Sequence, residues 1–384
     1  MTRGSRLYGH IASGGKMAKS LRLGSFNVQN LFRRAKALNY QDHGRVDEIL
    51  AQIGIFQALI EKSAYSDADK QEIVRLYTGE ISKYIVVREN RGKLFSRQGW
   101  KITGVKANGK GDDWDGEVAF KPDTFKEMTR ENTAQVMKDT HADIFCIVEA
   151  EDRVTLRSFD AQLLRSRYRY ELLIDGNDQR GIDVGLYSKY PFGKIRTHMF
   201  DKEGKSVIFS RDCLEAEVLL SDQQSLYILC NHFKSRGYDQ DNTADMKRER
   251  QAKAVAKILE TYDLEKDWVV VAGDFNDNAE STPLQPLLTV SGLFDVLGLQ
   301  FPDDPLKRWT YHYDTFEQID FILVSTPLRD RFRKSGVVRK GLFDLKNITT
   351  SSNGLVPVET EYDTVHKWSD AASDHGAVWA EFTL

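Results

Sequence analysis

The feature that most constrains the fold is a series of short apolar runs, each of strand length and each bounded by polar residues. "VVVAGDFNDN", Val269 to Asn278, shows the pattern, because five apolar or small residues precede Asp274, Asn276 and Asp277. Runs of this length and composition are typical of buried strands. Asp and Asn after a strand also form Asx-stabilised turns, so this stretch alone does not distinguish a turn from a functional site.

Further runs of the same kind are "LRLGSFNV", "ADIFCIVEA", "GIDVGLYS", "SLYILCNHF", "QIDFILVS" and "GAVWAEFTL". Between them, residues 246–260 have the spacing of an amphipathic helix. Its apolar face comprises Ala252, Val255, Ala256 and Leu259. Its basic face comprises Arg250, Lys253 and Lys257, which is most simply a solvated surface. Strands interleaved with helices predict a layered α/β or α+β fold.

Residues 33–122 interrupt this alternation of short apolar strands and helices. A helical pattern runs from Val46 to Ile60, and a second, charged helical stretch lies near 67–88. The segment 101–122 predicts a β-hairpin with turn residues around Asn108–Gly111. We interpret 33–122 as an insertion of helices and a hairpin.

The insertion divides a single domain that we expect to span 21–384. Residues 1–20 are rich in Gly, Ser and Lys and are expected to form a flexible tail. The three cysteines lie in apolar runs, which indicates reduced core thiols rather than disulfides. The tail has no apolar segment of a signal peptide, and no run reaches the ~18 residues of a membrane span. We therefore expect a cytoplasmic protein without stable membrane association.

The net charge of -3 excludes a global basic field. A nucleic-acid partner would have to be bound by a local basic groove or through a metal ion. Carboxylate and amide side chains recur where the apolar runs begin or end, without a cysteine–histidine cluster. Such a set favours Mg²⁺ or Mn²⁺ over zinc.

Each polar position also has a simpler explanation. His232, after an apolar run, fits a hydrogen-bonded core histidine, and Asp320 fits an ion pair with a neighbouring arginine. "SDHG", residues 373–376, fits an ordinary turn. All of these explanations would have to hold together, and the ordered recurrence of the positions argues against that.

The ordered motifs "FNVQN", "ADIFCIVEAE", "RGIDVGLYSKYP", "NHFKSRG", "GDFND", "QIDFILVS" and "SDHGAV" resemble the endonuclease/exonuclease/phosphatase superfamily. That superfamily includes deoxyribonuclease I, exonuclease III and the neutral sphingomyelinases. The resemblance covers about 21–32 and 123–384, and "RGIDV" and "NHFKS" are similar to bacterial nuclease domains. It implies a four-layer α/β/β/α sandwich of two mixed, mainly antiparallel sheets, with the active site at one end.

The resemblance also implies the roles of single residues. The implied ligands of Mg²⁺ or Mn²⁺ are Asn27, Glu149 and Asp374. The implied catalytic residues are His232, Asp274, Asn276, Asp320 and His375. Gln29 departs from the pattern, since exonuclease III relatives place Asp or Asn there. The residue that orients His232 is not obvious, and Asp183 is our candidate.

These residue types support phosphodiester hydrolysis. Asp274 would position or deprotonate the attacking water, and Asn276 would fix the phosphate. His375, held protonated by Asp320, would donate hydrogen bonds to a non-bridging oxygen. His232 would protonate the leaving group, a role worth roughly 10²–10⁴-fold in rate.

The expected substrate is DNA, with RNA as a further option. Candidate phosphate-binding residues are Asn30, Arg180, Lys234 and Arg236, together with the basic helix face. Binding through such residues weakens with salt. The alternative is a phosphoesterase that acts on a lipid, as sphingomyelinases do, or on a small-molecule phosphate. A non-catalytic binding module would be expected to lack the metal and histidine positions, which are nearly all present.

Overall fold

The computed structural model describes residues 20–29, 43–99, 101–121, 127–178, 181–236 and 243–384. The expected N-terminal tail lies outside the described residues except for Ser20. Two predicted substrate-binding residues, Asn30 and Arg180, also lie outside them.

The strands and helices of the described residues are numbered in chain order. The strands are β1 (Ser20–Asn27), β2 (Ile85–Arg91), β3 (Phe95–Gln98), β4 (Lys101–Val105), β5 (Asp115–Phe120), β6 (Ile144–Ala150), β7 (Tyr170–Leu173), β8 (Asp183–Ser188), β9 (Phe192–Arg196), β10 (Lys202–Glu203), β11 (Ser206–Val207), β12 (Cys213–Ser221), β13 (Gln224–His232), β14 (Val269–Asp274), β15 (Leu293–Asp295), β16 (Tyr311–His312), β17 (Phe316–Glu317), β18 (Asp320–Ser325), β19 (Phe332–Val338) and β20 (Ala377–Thr383). The α-helices are α1 (His43–Ile60), α2 (Asp67–Thr78), α3 (Glu127–Thr140), α4 (Arg153–Phe159), α5 (Thr243–Leu259), α6 (Gln285–Leu288), α7 (Val296–Gln300), α8 (Thr326–Arg329) and α9 (Leu345–Ser351).

Two six-stranded sheets form the framework. The first has the order β19-β20-β1-β6-β8-β7, and the second has the order β15-β18-β14-β13-β12-β9. Among the described residues, each sheet has one parallel pair, β1 with β6 and β13 with β14. The other neighbouring strands in both sheets are antiparallel. The sheets are therefore mixed and mainly antiparallel, as the family resemblance implies.

Buried apolar clusters separate four layers. One cluster lies between the two sheets, a second packs α3 and α4 on the outer face of the first sheet, and a third packs α5 and α6 on the outer face of the second. In β14, Val269 and Val271 face the helices, whereas Val270 and Ala272 face the other sheet. Alternate side chains of a strand point to opposite faces, so a strand covered on both faces is apolar throughout. This confirms the α/β/β/α sandwich.

Helix α5 confirms the amphipathic pattern of 246–260. Ala252, Val255 and Leu259 are buried against the second sheet. On the basic face, Arg250 pairs with Glu203 at 3.0 Å and Lys253 pairs with Glu249 at 2.6 Å. Neighbouring carboxylates thus neutralise part of this face.

Residues 43–121 have an apolar cluster of their own, whose buried members lie between Ile49 and Val118. Trp114 is fully buried in it, and its indole nitrogen donates to Tyr65 Oη at 2.7 Å. Helix α1 confirms the helical pattern that ends at Ile60.

Two local predictions in this segment are wrong. The helix expected near 67–88 ends at Thr78, and the β-branched run Ile85–Val87 forms the start of a strand instead. The expected hairpin of β4 with β5 does not form, because β4 pairs with β3 and β5 pairs with β2. The turn near Asn108 contacts the α1–α2 connection, where the Tyr65 N–H donates to the Asn108 carbonyl at 2.7 Å.

Cys146, Cys213 and Cys230 are free and buried, in agreement with core thiols. Among the described residues, no helix is both long and apolar enough to cross a lipid bilayer.

Candidate active site

The strand topology brings the predicted site residues to one edge of the sandwich. Asn27 ends β1 and Glu149 lies near the end of β6, which runs parallel to β1. His232 and Asp274 end the parallel strands β13 and β14 in adjacent register, and Asp320 opens the antiparallel strand β18 opposite Asp274. Carboxyl ends of parallel strands and the amino end of an antiparallel neighbour meet at the same edge.

Asp274 is the centre of this cluster. Distances from its Oδ2 are 3.0 Å to Asn27 Nδ2, 3.1 Å to Asn276 Nδ2, 3.7 Å to His232 Nε2 and 3.9 Å to His375 Nε2. The two amide groups donate hydrogen bonds to it, and the two imidazole nitrogens face it from beyond hydrogen-bond distance.

Two further carboxylates flank this centre. Glu149 Oε1 lies 3.8 Å from His232 Nε2, and Asp374 Oδ1 lies 3.8 Å from His375 Nε2. Their side chains are 15% and 17% exposed, whereas the Asp274 side chain is 1% exposed. The site therefore has one buried carboxylate and two carboxylates that solvent reaches.

Burial raises the pKa of Asp274 to about 7, and the nearby Asp320 carboxylate acts in the same direction. The His375 ring and the amide hydrogen bonds oppose this shift. A carboxylate with a pKa near neutrality accepts a proton from water more readily than an ordinary aspartate does.

His375 and Asp320 form a buried hydrogen-bonded pair, with 2.8 Å between Nδ1 and Asp320 Oδ2. Burial opposes the charge of the imidazole, but the carboxylates of Asp320, Asp374 and Asp274 outweigh it. They hold the pKa of His375 well above its usual value. This shift favours the imidazolium form, which is a donor at both nitrogens.

Three non-glycine residues at the site have left-handed backbone, Gln29 (φ 48°), Glu149 (φ 66°) and Asn276 (φ 55°). At Glu149 the pairing of β6 with β8 has a register shift, so a bulge sets the direction of this side chain. Asn276 donates its backbone N–H to Asp274 Oδ1 at 2.8 Å. Asp274 and Asn276 therefore form the Asx turn that the sequence suggested, and the same two residues belong to the candidate site. Such strained positions cluster at functional sites.

Asp183 opens β8 opposite Ala150 and lies near the same edge. Its Oδ1 accepts a hydrogen bond from the Gly176 N–H at 2.7 Å. Burial raises its pKa to about 7, and Asp175 and Asp178 add to this effect. Its role in orienting His232 stays a prediction.

A family model described as the endonuclease/exonuclease/phosphatase family matches residues 123–375, well over half of the chain. This chain belongs to the endonuclease/exonuclease/phosphatase family. The match begins just after the segment 33–122. No curated protein matches the sequence.

Solved structures of the family are similar to this chain over about two thirds of its length. Truncated Caenorhabditis elegans TDP2 has 18% identity and a TM-score of 0.44, covering 67% of this chain and 91% of its own. An AP endonuclease from Archaeoglobus fulgidus has 17% identity and a TM-score of 0.46, with 65% and 93% covered. The Bacteroides vulgatus family member has 16% identity and a TM-score of 0.46, with 67% and 91% covered.

The donor set of the family site fits a hard divalent cation. Glu149 and Asp374 offer carboxylate oxygens that solvent reaches, and Asn27 offers an amide oxygen that also accepts the Gln29 N–H at 3.0 Å. Oxygen ligands of this kind are those that Mg²⁺ and Mn²⁺ prefer. A second group, Asp274, Asp320 and His375, has ligand atoms within 4.8 Å of one another. In that group, Nδ1 of His375 and Oδ2 of Asp320 are already hydrogen-bonded to each other.

Two of the predicted substrate-binding residues are described. Lys234 follows His232 by two positions, and its backbone N–H donates to Gln251 Oε1 at 2.8 Å. The guanidinium of Arg236 makes a bidentate ion pair with Glu317, at 2.9 and 2.8 Å. Arg236 therefore contacts a carboxylate of the protein, and its predicted role in binding substrate phosphate stays a prediction.

Sequence reasoning missed two supporting hydroxyls. Ser373 Oγ donates to the Asn27 carbonyl at 2.7 Å and accepts the His375 N–H at 3.1 Å. Thr310 Oγ1 accepts the N–H groups of Ile319 and Asp320, each at 3.1 Å. Ser373 precedes "DH" and could have been inferred as a local turn residue. Nothing in the sequence indicates Thr310, since its contacts depend on tertiary packing.

Proposed function

We propose that this protein is a divalent-metal-dependent phosphodiesterase that hydrolyses nucleic acid, with DNA as the main substrate. The observation that carries the proposal is the convergence of the His232 and His375 imidazoles on Asp274 Oδ2, with the carboxylates of Glu149 and Asp374 each 3.8 Å from one of these rings. Membership of a family of nucleases and phosphoesterases supports it.

Asp274 acts on the attacking water in this proposal. Its carboxylate is fixed by Asn27 and Asn276, and its pKa of about 7 suits proton transfer near neutral pH. The Asn276 side chain also donates to the Phe233 carbonyl at 3.1 Å, which limits its freedom. A fixed acceptor lowers the barrier because the geometry is set before the reaction begins.

The two histidines act on the phosphate. His375 carries a positive charge and directs Nε2 toward the centre of the cluster, where it stabilises charge on a non-bridging oxygen. His232 lies on the other side of Asp274, beside Glu149, and protonates the leaving oxygen. Asn27, Glu149 and Asp374 would hold the cation. When bound, that cation supplies a Lewis acid for the phosphate.

The charge of the segment 83–110 supports a polyanionic substrate. It has eight Lys and Arg residues and one acidic residue, Glu89. Arg97, Lys101 and Lys106 are exposed on or beside the β3–β4 hairpin. Exposed cations of this kind bind phosphate backbones by releasing counterions.

The test incubates the purified protein with plasmid, linear duplex and single-stranded DNA, and with RNA, sphingomyelin and a chromogenic phosphodiester. Each substrate is tested with Mg²⁺, Mn²⁺ or chelator. We expect hydrolysis of DNA and of the chromogenic diester, and none with chelator.

The matched variants are His232→Ala, His375→Ala and His141→Asn. His141 is an exposed histidine before β6, at the opposite edge, and Asn tolerates its left-handed backbone. We expect each site variant to lower kcat at least about 100-fold and His141→Asn to leave it unchanged. Chelator-resistant activity would exclude the metal-dependent function, and activity on sphingomyelin alone would assign the protein to lipid phosphodiesters.

A further inference from the structure

Arg236 connects the loops that follow β13 and β14 with strand β17, which precedes β18. It follows His232 on the loop after β13, and its Nε donates to the Asn276 carbonyl, on the loop after β14, at 3.1 Å. Its Nη1 and Nη2 donate to the carboxylate of Glu317, which precedes Asp320 by three positions. One guanidinium thus joins the backbones that carry His232, Asp274 and Asp320.

Glu317 is held from more than one side. The Asn278 side chain donates to Glu317 Oε1 at 2.9 Å, which adds a second connection to the loop after β14. In the β16–β17 hairpin, Glu317 is opposite Tyr311, whose ring centroid lies 5.1 Å from that of His375. The Glu317 side chain is 14% exposed and that of Arg236 is 40% exposed.

The contact at Asn276 has a direct consequence for the reaction. Asn276 has left-handed backbone, and its side chain donates to Asp274 Oδ2 at 3.1 Å. A strained backbone of this kind persists only where its surroundings fix it. The Arg236 hydrogen bond to the Asn276 carbonyl restrains the peptide that sets the direction of this side chain.

We propose that Arg236 and Glu317 form a clamp that positions Asn276 and Asp274, so that Arg236 is a positioning residue and not a ligand of the substrate phosphate. The inference rests on the proposed function for its kinetic test. A guanidinium in a bidentate pair with a carboxylate has its charge neutralised and its geometry fixed. It therefore holds loops together better than it attracts phosphate.

The kinetic test compares Arg236→Ala, Arg236→Lys, Glu317→Gln and the double variant Arg236→Ala/Glu317→Gln on DNA and on the chromogenic diester. We expect Arg236→Ala and Glu317→Gln each to lower kcat about 10- to 100-fold, with KM changed less than about threefold, because the clamp acts on geometry. The double variant should be no slower than the slower single variant, since each single variant already removes the ion pair between Arg236 and Glu317. Arg236→Lys should restore part of kcat.

The matched control is Lys189→Ala. Lys189 pairs with Asp143 at 2.7 Å, and its side chain is 37% exposed, close to the value for Arg236. Asp143 immediately precedes β6 and Lys189 immediately follows β8, so this pair lies at the edge opposite the site. We expect Lys189→Ala to leave kcat and KM unchanged.

A phosphate-binding role would give the opposite kinetic pattern. Arg236→Ala would then raise KM for DNA and reduce the slope of log affinity against log salt by about one. Glu317→Gln would leave KM unchanged or lower it, because it frees the guanidinium for the substrate. That pattern overturns the clamp.

A second readout does not depend on activity. Amide hydrogen exchange of residues 275–278, measured without substrate, should be faster in Arg236→Ala and in Glu317→Gln than in the parent protein and in Lys189→Ala. Unchanged exchange in both clamp variants overturns the inference even if the protein is an active nuclease. If the parent protein hydrolyses no phosphodiester, the proposed function fails, and faster exchange still supports the clamp.

Discussion

Asp320 makes its strongest contact through one carboxylate oxygen. Oδ2 pairs with His375, whereas Oδ1 is buried without a hydrogen-bond partner among the described residues. A buried acceptor in that state costs free energy, which the charge of the imidazolium offsets. The raised pKa of His375 therefore depends on the Asp320 carboxylate.

Asp320→Asn tests this dependence. Without the carboxylate, the pKa of His375 falls, so the imidazolium loses its proton at a lower pH than in the parent protein. We expect the basic limb of the pH–kcat profile to move to lower pH, and kcat at neutral pH to fall roughly 10- to 1000-fold. The control is the exposed Asp303→Asn. A basic limb that stays in place would show that His375 does not act as the charged donor.

His198 provides a second titratable residue, away from the catalytic cluster. Its Nδ1 pairs with Asp201 at 2.8 Å and its Nε2 pairs with Glu215 at 2.9 Å. Burial opposes the charge of the ring, but the two carboxylates outweigh it and raise the pKa of His198. The stabilisation is fully present below the ordinary pKa of about 6.5 and is lost as pH rises through the raised value.

We therefore expect the difference in melting temperature between the parent protein and His198→Gln to be larger at pH 6 than at pH 9. Thermal unfolding followed by circular dichroism at both pH values measures it. A difference of the same size at both pH values would mean that His198 stabilises the fold through packing alone.

At the scale of elements, the apolar runs predicted the strands that carry the candidate site because both faces of those strands are buried. β14 and β18 are covered by the other sheet on one side and by helices on the other, so their composition is unambiguous. The prediction that β4 and β5 form a hairpin was wrong because tertiary packing decides which strands pair. The turn residues near Asn108 do not specify that pairing.

The convergence of the candidate site residues was predictable for the same reason, whereas the contacts that support them were not. Asp274 follows an apolar run in the sequence, but the bulge at Glu149 arises only from the pairing of β6 with β8. The sequence suggested that Arg236 binds substrate phosphate, because the positive charge of the side chain can be read from the sequence. Its partner Glu317, 81 positions away, is visible only in the structure.

Asp274, the last residue of β14, directly follows Gly273, whose backbone lies very close to β13. Gly273 has φ of 136°, and a Cβ added there would lie 1.8 Å from the Asn231 carbonyl oxygen on β13. Gly273→Ala should lower the free energy of unfolding by about 3 kcal/mol or more, because β13 and β14 must separate where His232 and Asp274 emerge. Denaturant unfolding measures this.

The control is Gly104→Ala in β4, where an added Cβ meets nothing within 4 Å. We expect a change of less than about 1 kcal/mol for that variant. Comparable losses from the two substitutions would contradict the close approach of β13 and β14 at Gly273.

At the scale of the whole molecule, the apolar cluster between the sheets and the apolar cluster of the segment 43–121 are built from different parts of the chain. The cluster between the sheets joins strands from both halves of the sandwich, whereas the cluster from Ile49 to Val118 draws its buried members from the segment 43–121 alone. The family match begins at residue 123, outside this segment. We propose, as the sequence suggested, that 33–122 is an insertion, and we propose further that its described residues 43–121 fold around their own core.

Trp114→Ala tests this proposal. Trp114 is fully buried in the apolar core of the segment 43–121, and its removal should destabilise that core by about 3–5 kcal/mol. Amide exchange should become faster across 43–121, while β13 and β14 keep their protection. kcat on the chromogenic diester should stay within about threefold of the parent value, since none of the proposed catalytic residues lies in the insertion.

The contrasting variant is Ile322→Ala in β18, between the two sheets. Its cavity should speed exchange in β13 and β14 and lower the melting temperature of the catalytic sandwich, because Ile322 packs in the core that those strands share. If Trp114→Ala instead abolished hydrolysis of the small diester while the sandwich kept its exchange protection, the segment 43–121 would belong to the catalytic site. Its basic hairpin would then have to act on the reacting phosphate as well as on the rest of a nucleic acid.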